Sequence, residues 1–353
     1  MDVNASRRRW DEMLRSLAGL LPPGPASVLV GGRGEQAAVL AARLAAALEG
    51  RVRVCSDGGD GGAPWDVVIW ARTATAATAA TAATAGHGGE DQADIVIDMH
   101  DPDWPVIRRV AAPLAARGPW YLTETRAFFG CRAATWDAKF GDDLPAYAAA
   151  IAQAGIAAGG VVIDLGCGTG RALPSLRQAV GPDGSVIAVD VTPEMLSQAR
   201  PASRRARAAL VLADARRLPF ATASADAIFA AGLINHLPDA EAGFRELARV
   251  TRPGGLLVLF HPAGRAALAA RHGRALSADE PLAAGPLRRS TQATGWRLTA
   301  YDDAASRFFA VAVRQQSGLG GLSPRGGGQA AASATRGPPS WRSNRWESRS
   351  RTR

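Results

Sequence analysis

Short apolar runs, most of them closed by a glycine or a carboxylate and separated by stretches with helical spacing, recur along this chain. The first series predicts a helix over 8–17, a strand over 28–30 running into Gly31-Gly32-Arg33-Gly34, and an alanine-rich helix to Leu48. Strands are expected over 52–55, 67–70 and 95–98, with a helix over about 106–116. A strand, a glycine turn and a helix open a βαβ unit, so a parallel α/β arrangement accounts for this half most simply. The glycine turn offers a place for a phosphate, although GGRGEQ lacks the full GxGxxG spacing. The Ala/Thr tract over 73–84 has no large apolar residue to bury and reads as a loop or a marginal surface helix.

A linker over about 120–136 leads into a second series. A helix over 144–154 precedes strands over 161–165, 186–190, 209–213, 227–230 and 256–260, alternating with helices over 172–179, 193–200 and 240–250. Two late strands, near 296–301 and 308–313, suit an antiparallel edge. The expected organisation is an N-terminal α/β domain over 1–120, smaller and degenerate in its glycine signal, then a second α/β domain over 121–314. From 315 the chain is rich in Gly, Ser, Pro and Arg and is expected to be disordered.

The length of 353 residues suits about two domains, and 47% apolar with 21% charged residues is the balance of a globular chain. The formal net charge is +9, but seven arginines from Arg325 onward against the single Glu347 place six of those charges after residue 314. What is left is too little for the organised basic face that nucleic-acid binding needs. Cys55, Cys131 and Cys167 are widely separated, which offers neither a disulfide framework nor a zinc cluster. No signal-peptide run follows the N-terminus, and no apolar stretch is long enough to span a membrane. A cytoplasmic chain is expected, with homo-oligomerisation left open.

The chemistry concentrates in Val161-Val162-Ile163-Asp164-Leu165-Gly166-Cys167-Gly168-Thr169-Gly170, an apolar strand that runs straight into a glycine-rich turn. Glycines let the backbone pass close under a bound cofactor, where a Cβ would collide. Asp164 stands before the first glycine. A carboxylate there repels a pyrophosphate and attracts a cationic amino-acid moiety, which favours an aminoacyl nucleoside over NAD. Asp190 closes the next strand and can accept hydrogen bonds from both ribose hydroxyls. Asp214, after the third strand, can accept from an adenine amino group, and Met195 can lie against the base. Three acids at successive strand ends point into one crevice, as ligand sites in open α/β sheets do. Cys167, between two turn glycines, reads as a small packing residue rather than a nucleophile.

The segments VVIDLGCGTG, VIAVDVTPEML, LVLADARRLPF, DAIFAAGLINHLPD and ELARVTRPGGLLVLF resemble the class I S-adenosylmethionine-dependent methyltransferases, of the small-molecule type that includes the ubiquinone and menaquinone biosynthesis enzymes. The resemblance covers about 125–314. It implies a Rossmann-like seven-stranded sheet with the methionine part of S-adenosylmethionine over Gly166, Cys167, Gly168, Thr169 and Gly170. It implies the ribose on Asp190 beside Val191, the adenine near Met195, Asp214 and Ala215, and Ala231 and Leu233 lining the pocket. It also puts 128–140 where such enzymes carry a lid helix, its aromatics serving either the bound molecules or lid packing. A small-molecule methyl acceptor would sit above the C-terminal strand ends. Residues 1–120 have no assured counterpart in the small members of that family.

Methyl transfer needs alignment, exclusion of water and, for a protonated acceptor, removal of a proton. His236, after the fourth strand, and His261, after the fifth, are the candidate bases. Each also has a supporting role open to it, His236 in holding its loop and His261 in terminating its strand. Two other readings of the chain are a non-catalytic S-adenosylmethionine-binding or partner protein and an NAD-dependent oxidoreductase.

Overall fold

Two open sheets flanked by helices organise the computed structural model, which describes residues 3–32, 35–48, 52–56, 65–73, 90–115, 117, 120–271 and 275–316. The first half begins with α1 (Val3–Leu20), which buries Trp10, Met13, Leu17 and Leu20 on one stripe. Next come β1 (Ala26–Gly32), α2 (Glu35–Ala47), β2 (Val52–Ser56), β3 (Val67–Arg72), β4 (Ile95–Asp98), β5 (Val106–Val110) and the single turn α3 (Ala112–Ala115). The strand order is β2-β1-β3-β4-β5, parallel except for β5.

One expectation fails here. The helix expected over 106–116 is a strand followed by one helical turn. Val106, Ile107 and Val110 are β-branched and pair back antiparallel on β4, where branched side chains pack well on a pleated surface.

The glycine turn after β1 also has a packing explanation. At Gly32, with φ +151°, a Cβ would stand 2.6 Å from the Ala71 carbonyl oxygen on β3. The glycine is there for a close backbone approach. Arg33, Gly34, nearly all of the Ala/Thr tract and the tail from 317 lie outside the described residues.

The expected linker is instead the helix α4 (Trp120–Gly130), followed by α5 (Trp136–Phe140) and α6 (Leu144–Ala154). Its buried positions are Trp120, Tyr121, Glu124 and Thr125, so two polar residues interrupt the apolar stripe that announces a helix in sequence. Glu124 is buried because Arg9 of α1 reaches it. Arg9 Nη2 donates to Glu124 Oε2 at 2.5 Å, Arg9 Nε donates to the Pro105 carbonyl at 2.8 Å, and the Ile107 N–H donates to the same Glu124 oxygen at 2.8 Å. One carboxylate thus ties α1, β5 and α4 together.

The second half runs β6 (Val161–Leu165), α7 (Leu173–Val180), β7 (Ser185–Asp190), α8 (Pro193–Ala206), β8 (Ala209–Leu212), β9 (Ala225–Ala231), α9 (Ala240–Val250) and β10 (Thr251–His261). It ends with α10 (Arg265–Arg271), α11 (Ala284–Ala293), β11 (Trp296–Ala304) and β12 (Arg307–Arg314). Its seven strands lie in the order β11-β12-β10-β9-β6-β7-β8, with β12 alone running against its neighbours. The chain winds outward from β6 in one direction and from β9 in the other, so a crevice opens where the order reverses. Arg252-Pro253-Gly254-Gly255 makes a bulge inside β10, with Gly254 at φ +82°. Among the described residues no helix is long and apolar enough to cross a membrane.

Candidate functional site

The crevice is floored by the turn after β6. Gly166, Gly168 and Gly170 have φ of +71°, +53° and +85°. The Gly166 and Cys167 N–H groups both donate to the Val189 carbonyl at 2.8 and 3.0 Å, fastening the turn to β7. A Cβ at Gly170 would meet Leu173 Cδ1 at 2.9 Å, whereas one at Gly168 would meet nothing within 4 Å. Gly170 therefore serves packing, and Gly168 faces open space.

Asp164 lies beneath this turn at 2% exposure, and among the described residues no donor reaches its Oδ2. Burial, and after it the negative charge of Asp190, push its carboxyl up to about 8. An uncompensated buried carboxylate is costly unless something cationic meets it. Asp190 is better supplied: its Oδ2 accepts from the Gly168 N–H at 2.9 Å and its Oδ1 from the Thr192 N–H at 2.8 Å. Burial still raises its pKa. Each of its oxygens keeps a further lone pair for a ligand hydroxyl.

The remaining expected positions fall around the same strand ends, with some already engaged. Val191 accepts from Arg126 Nε at 2.8 Å through its carbonyl, which anchors α4 over the end of β7. Met195 is buried on the first turn of α8, and Ala215 is buried beyond β8. Asp214 is gripped by Arg216, whose Nη2 donates to Oδ2 at 2.8 Å and whose backbone N–H donates to Oδ1 at 2.9 Å. Thr169 donates to Asp137 Oδ1 of α5 at 2.6 Å, so its hydroxyl holds the cover rather than pointing free into the crevice. Cys167 is buried with its thiol pKa pushed well up by burial, which keeps it protonated and inert. Ala231 ends β9, and Leu233 lies 3.2 Å from where a Gly166 Cβ would be.

The two histidines differ in setting. His261 is the last residue of β10, and its Nδ1 lies 3.0 Å from both the N–H and the carbonyl of Ala263. The two contacts call for opposite tautomers, Nδ1 accepting from the N–H in one and donating to the carbonyl in the other. The His261 Cδ2, next to Nε2, is 3.6 Å from the Cβ position of Gly232. His236 instead has Nδ1 at 3.4 Å from Arg108 Nη2 of β5. A guanidinium only donates, so this long contact favours the tautomer with its proton on Nε2, a hydrogen-bond donor rather than a base.

The cover over the crevice comes mainly from α4, a stretch expected to be a linker. Tyr121 packs beside the Asp214 loop, with the Arg216 guanidinium 4.4 Å from its ring centroid, and burial pushes its phenol up to about 12. Phe129 meets the His236 ring edge-on at 5.2 Å and Trp136 at 5.6 Å. Tyr121, Arg126 and Arg108 were not singled out from sequence. The i, i+4 spacing of Tyr121, Thr125 and Phe129 was the available signal for the helix, and Arg108 offered none.

Residues 163–259 match the family model described as a methyltransferase domain. The second half of the described chain is a Rossmann-like α/β sheet, and within it 163–259 is similar to methyltransferase domains. The chain is 39% identical over 111 residues to an arsenite methyltransferase of Halobacterium salinarum, covering 31% of this chain and 28% of that one. It is 42% identical over 95 residues to a demethylmenaquinone methyltransferase of a Roseiflexus species, covering 27% and 40%. These alignments thus span well under half the length of either relative. A solved complex of the Haloferax volcanii Trm112 methyltransferase activator with a putative methyltransferase aligns with a TM-score of 0.44 at 20% identity, over 53% of this chain and 98% of that one.

S-adenosylmethionine suits the residues in place. The orphaned Asp164 oxygen faces the need of a cation, and the space above Gly168 is what a Cβ would fill.

Proposed function

We propose that this chain transfers a methyl group from S-adenosylmethionine to a small-molecule acceptor in biosynthetic metabolism. The observation that carries this reading is the buried Asp164 carboxylate under the open glycine turn, with Oδ2 unpartnered among the described residues. It would meet the ammonium of the methionine part, and it would repel the pyrophosphate of a dinucleotide. Asp190 would take the ribose hydroxyls through its remaining lone pairs. Met195, Ala215 and the Arg216-held Asp214 would border the adenine, with Asp214 acting as an oriented rather than a mobile acceptor. The bound cofactor supplies an already activated methyl group.

The protein's share is then alignment and exclusion of water, to which α4 contributes by spanning from the Asp214 loop to His236. His261, at the C-terminal end of β10, would serve as base for an acceptor that must lose a proton in the tautomer whose Nδ1 donates to the Ala263 carbonyl. His236, beside Arg108, would orient the acceptor by donating from Nε2. Calorimetric titration with S-adenosylmethionine and with NAD tests the reading. Saturable binding of the first alone, weakened in both Asp164→Asn and Asp190→Asn, is expected. A correctly folded chain that binds NAD, or that binds S-adenosylmethionine equally well without Asp164, would overturn it.

A further inference from the structure

At the seam between the two sheets, two arginines crowd one aromatic ring. The Arg108 guanidinium of β5 lies 3.5 Å from the Phe128 ring centroid, and that of Arg132 lies 4.0 Å from the same centroid. Both side chains are half-buried. Arg132 spends one nitrogen on the Phe128 carbonyl at 2.9 Å and on Cys131 Sγ at 3.1 Å. Among the described residues no carboxylate forms an ion pair with either arginine. Asp98, whose charge is felt at Arg108, accepts from the His100 ring at 2.8 Å and lies 3.7 Å from Arg72. Burial, followed by the charge of Arg72, brings the Arg108 pKa down to about 10, which still leaves it cationic at neutral pH.

Like charges held together out of bulk water repel, and a ring face offsets only part of that repulsion. The missing component is an anion. Its place relative to the crevice follows from three contacts: Arg108 Nη2 to His236 Nδ1 at 3.4 Å, His236 to Phe129 at 5.2 Å, and Leu233, on the same loop as His236, against Gly166. We propose that Arg108 and Arg132 bind an anionic group, carboxylate or phosphate, on an acceptor whose apolar or aromatic body lies along Phe129 and Trp136. This rests on the methyl-transfer reading for the word acceptor, and it gives the N-terminal half a task in substrate selection. Arg108 is then a substrate-binding residue brought from a separate sheet.

Benzoate and phenyl phosphate, with benzyl alcohol as the uncharged comparison, serve as probes in titrations of the full chain followed by tryptophan fluorescence or calorimetry. The expected result is saturable binding of one of the two anions, weakening as sodium chloride is raised, with benzyl alcohol bound much more weakly. Which anion binds tells carboxylate from phosphate. In Arg108→Gln and in the more locally held Arg132→Gln, anion affinity should fall at least about tenfold, the scale of a lost charge-assisted hydrogen bond. Arg108→Lys should recover part of it. Thermal melts establish that each variant is folded, and S-adenosylmethionine affinity should stay within about twofold of the parent, because the two arginines meet Phe128, Cys131 and His236 rather than Asp164 or Asp190. Absence of saturable anion binding in the parent, or equal binding in both glutamine variants, overturns the proposal. Anion binding that is lost in the variants of a chain unable to bind S-adenosylmethionine would uphold the anion site and sink the methyl-transfer reading.

Discussion

Asp98 at the end of β4 and Asp164 near the end of β6 occupy comparable places in two largely parallel sheets, and their surroundings treat them oppositely. Burial acts to raise the pKa of both. At Asp98 the His100 N–H, the Arg72 charge and the His100 ring outweigh it, and the carboxyl titrates below its ordinary value. At Asp164 nothing offsets burial and Asp190 adds to it. The glycines repeat the contrast: Gly32 is filled against by Ala71, whereas Gly168 opens on space. The first sheet satisfies its own strand ends, and the second leaves a charge and a hollow for something else. That difference separates a strand end built for stability from one built for a ligand.

The comparison breaks first at the joint between the sheets. Arg9→Ala should cost about 4 kcal/mol of stability, because it leaves buried Glu124 charged without its partner. Chemical denaturation measures it, and a loss below about 1 kcal/mol would mean that the two halves are not held together there. Gly32→Ala should cost about 3 kcal/mol through its contact with the Ala71 carbonyl while leaving S-adenosylmethionine affinity of the folded fraction unchanged. Gly168→Ala should do the reverse, costing only the ~1 kcal/mol of a positive φ but weakening that affinity at least about tenfold.

Asp164→Asn sharpens the contrast further. A carboxyl whose pKa is raised on folding binds its proton more tightly in the folded chain, so it subtracts stability progressively as pH rises from about 4 to about 8. The substitution should therefore raise ligand-free stability at pH 8 by roughly 2 kcal/mol while weakening S-adenosylmethionine binding. In the parent, affinity for S-adenosylmethionine should climb as pH rises from 6 towards 8, because binding needs the ionised carboxylate. A flat profile would separate Asp164 from the cofactor. The smallest effect belongs to Asp98→Asn, at about 1 kcal/mol, by loss of a pair already partly open to solvent. Asp98 supports stability above about pH 4, and that contribution disappears as pH falls through its lowered folded value.

Much of the second sheet was legible because each signal is local. Val161, Val162 and Ile163 are apolar up to the acid, the glycines begin two residues later, and a parallel arrangement needs only the alternation of strands and helices. The first sheet was read less well at β5, where a helix was expected, since a five-residue stretch with three branched residues and two arginines, close to a proline, carries no decisive period. The cover α4 was missed because Glu124 breaks its apolar stripe, and the reason for a buried glutamate, Arg9, lies 115 residues away. The positions of the three acids at strand ends were legible, but their states were not. Asp214 was found without its Arg216 clamp, and Thr169 without Asp137.

The sequence by itself determined the seven-stranded core, the turn that floors its crevice and the identities of the acids around it, because strand period, glycine spacing and charge order are properties of neighbouring residues. Tertiary structure alone decided which of those acids is satisfied, which backbone and side-chain groups each histidine meets, and that Arg108 from the other sheet stands beside His236. These are long-range facts: a buried charge takes its energy from whatever the fold brings within a few ångströms, and no local pattern records that distance.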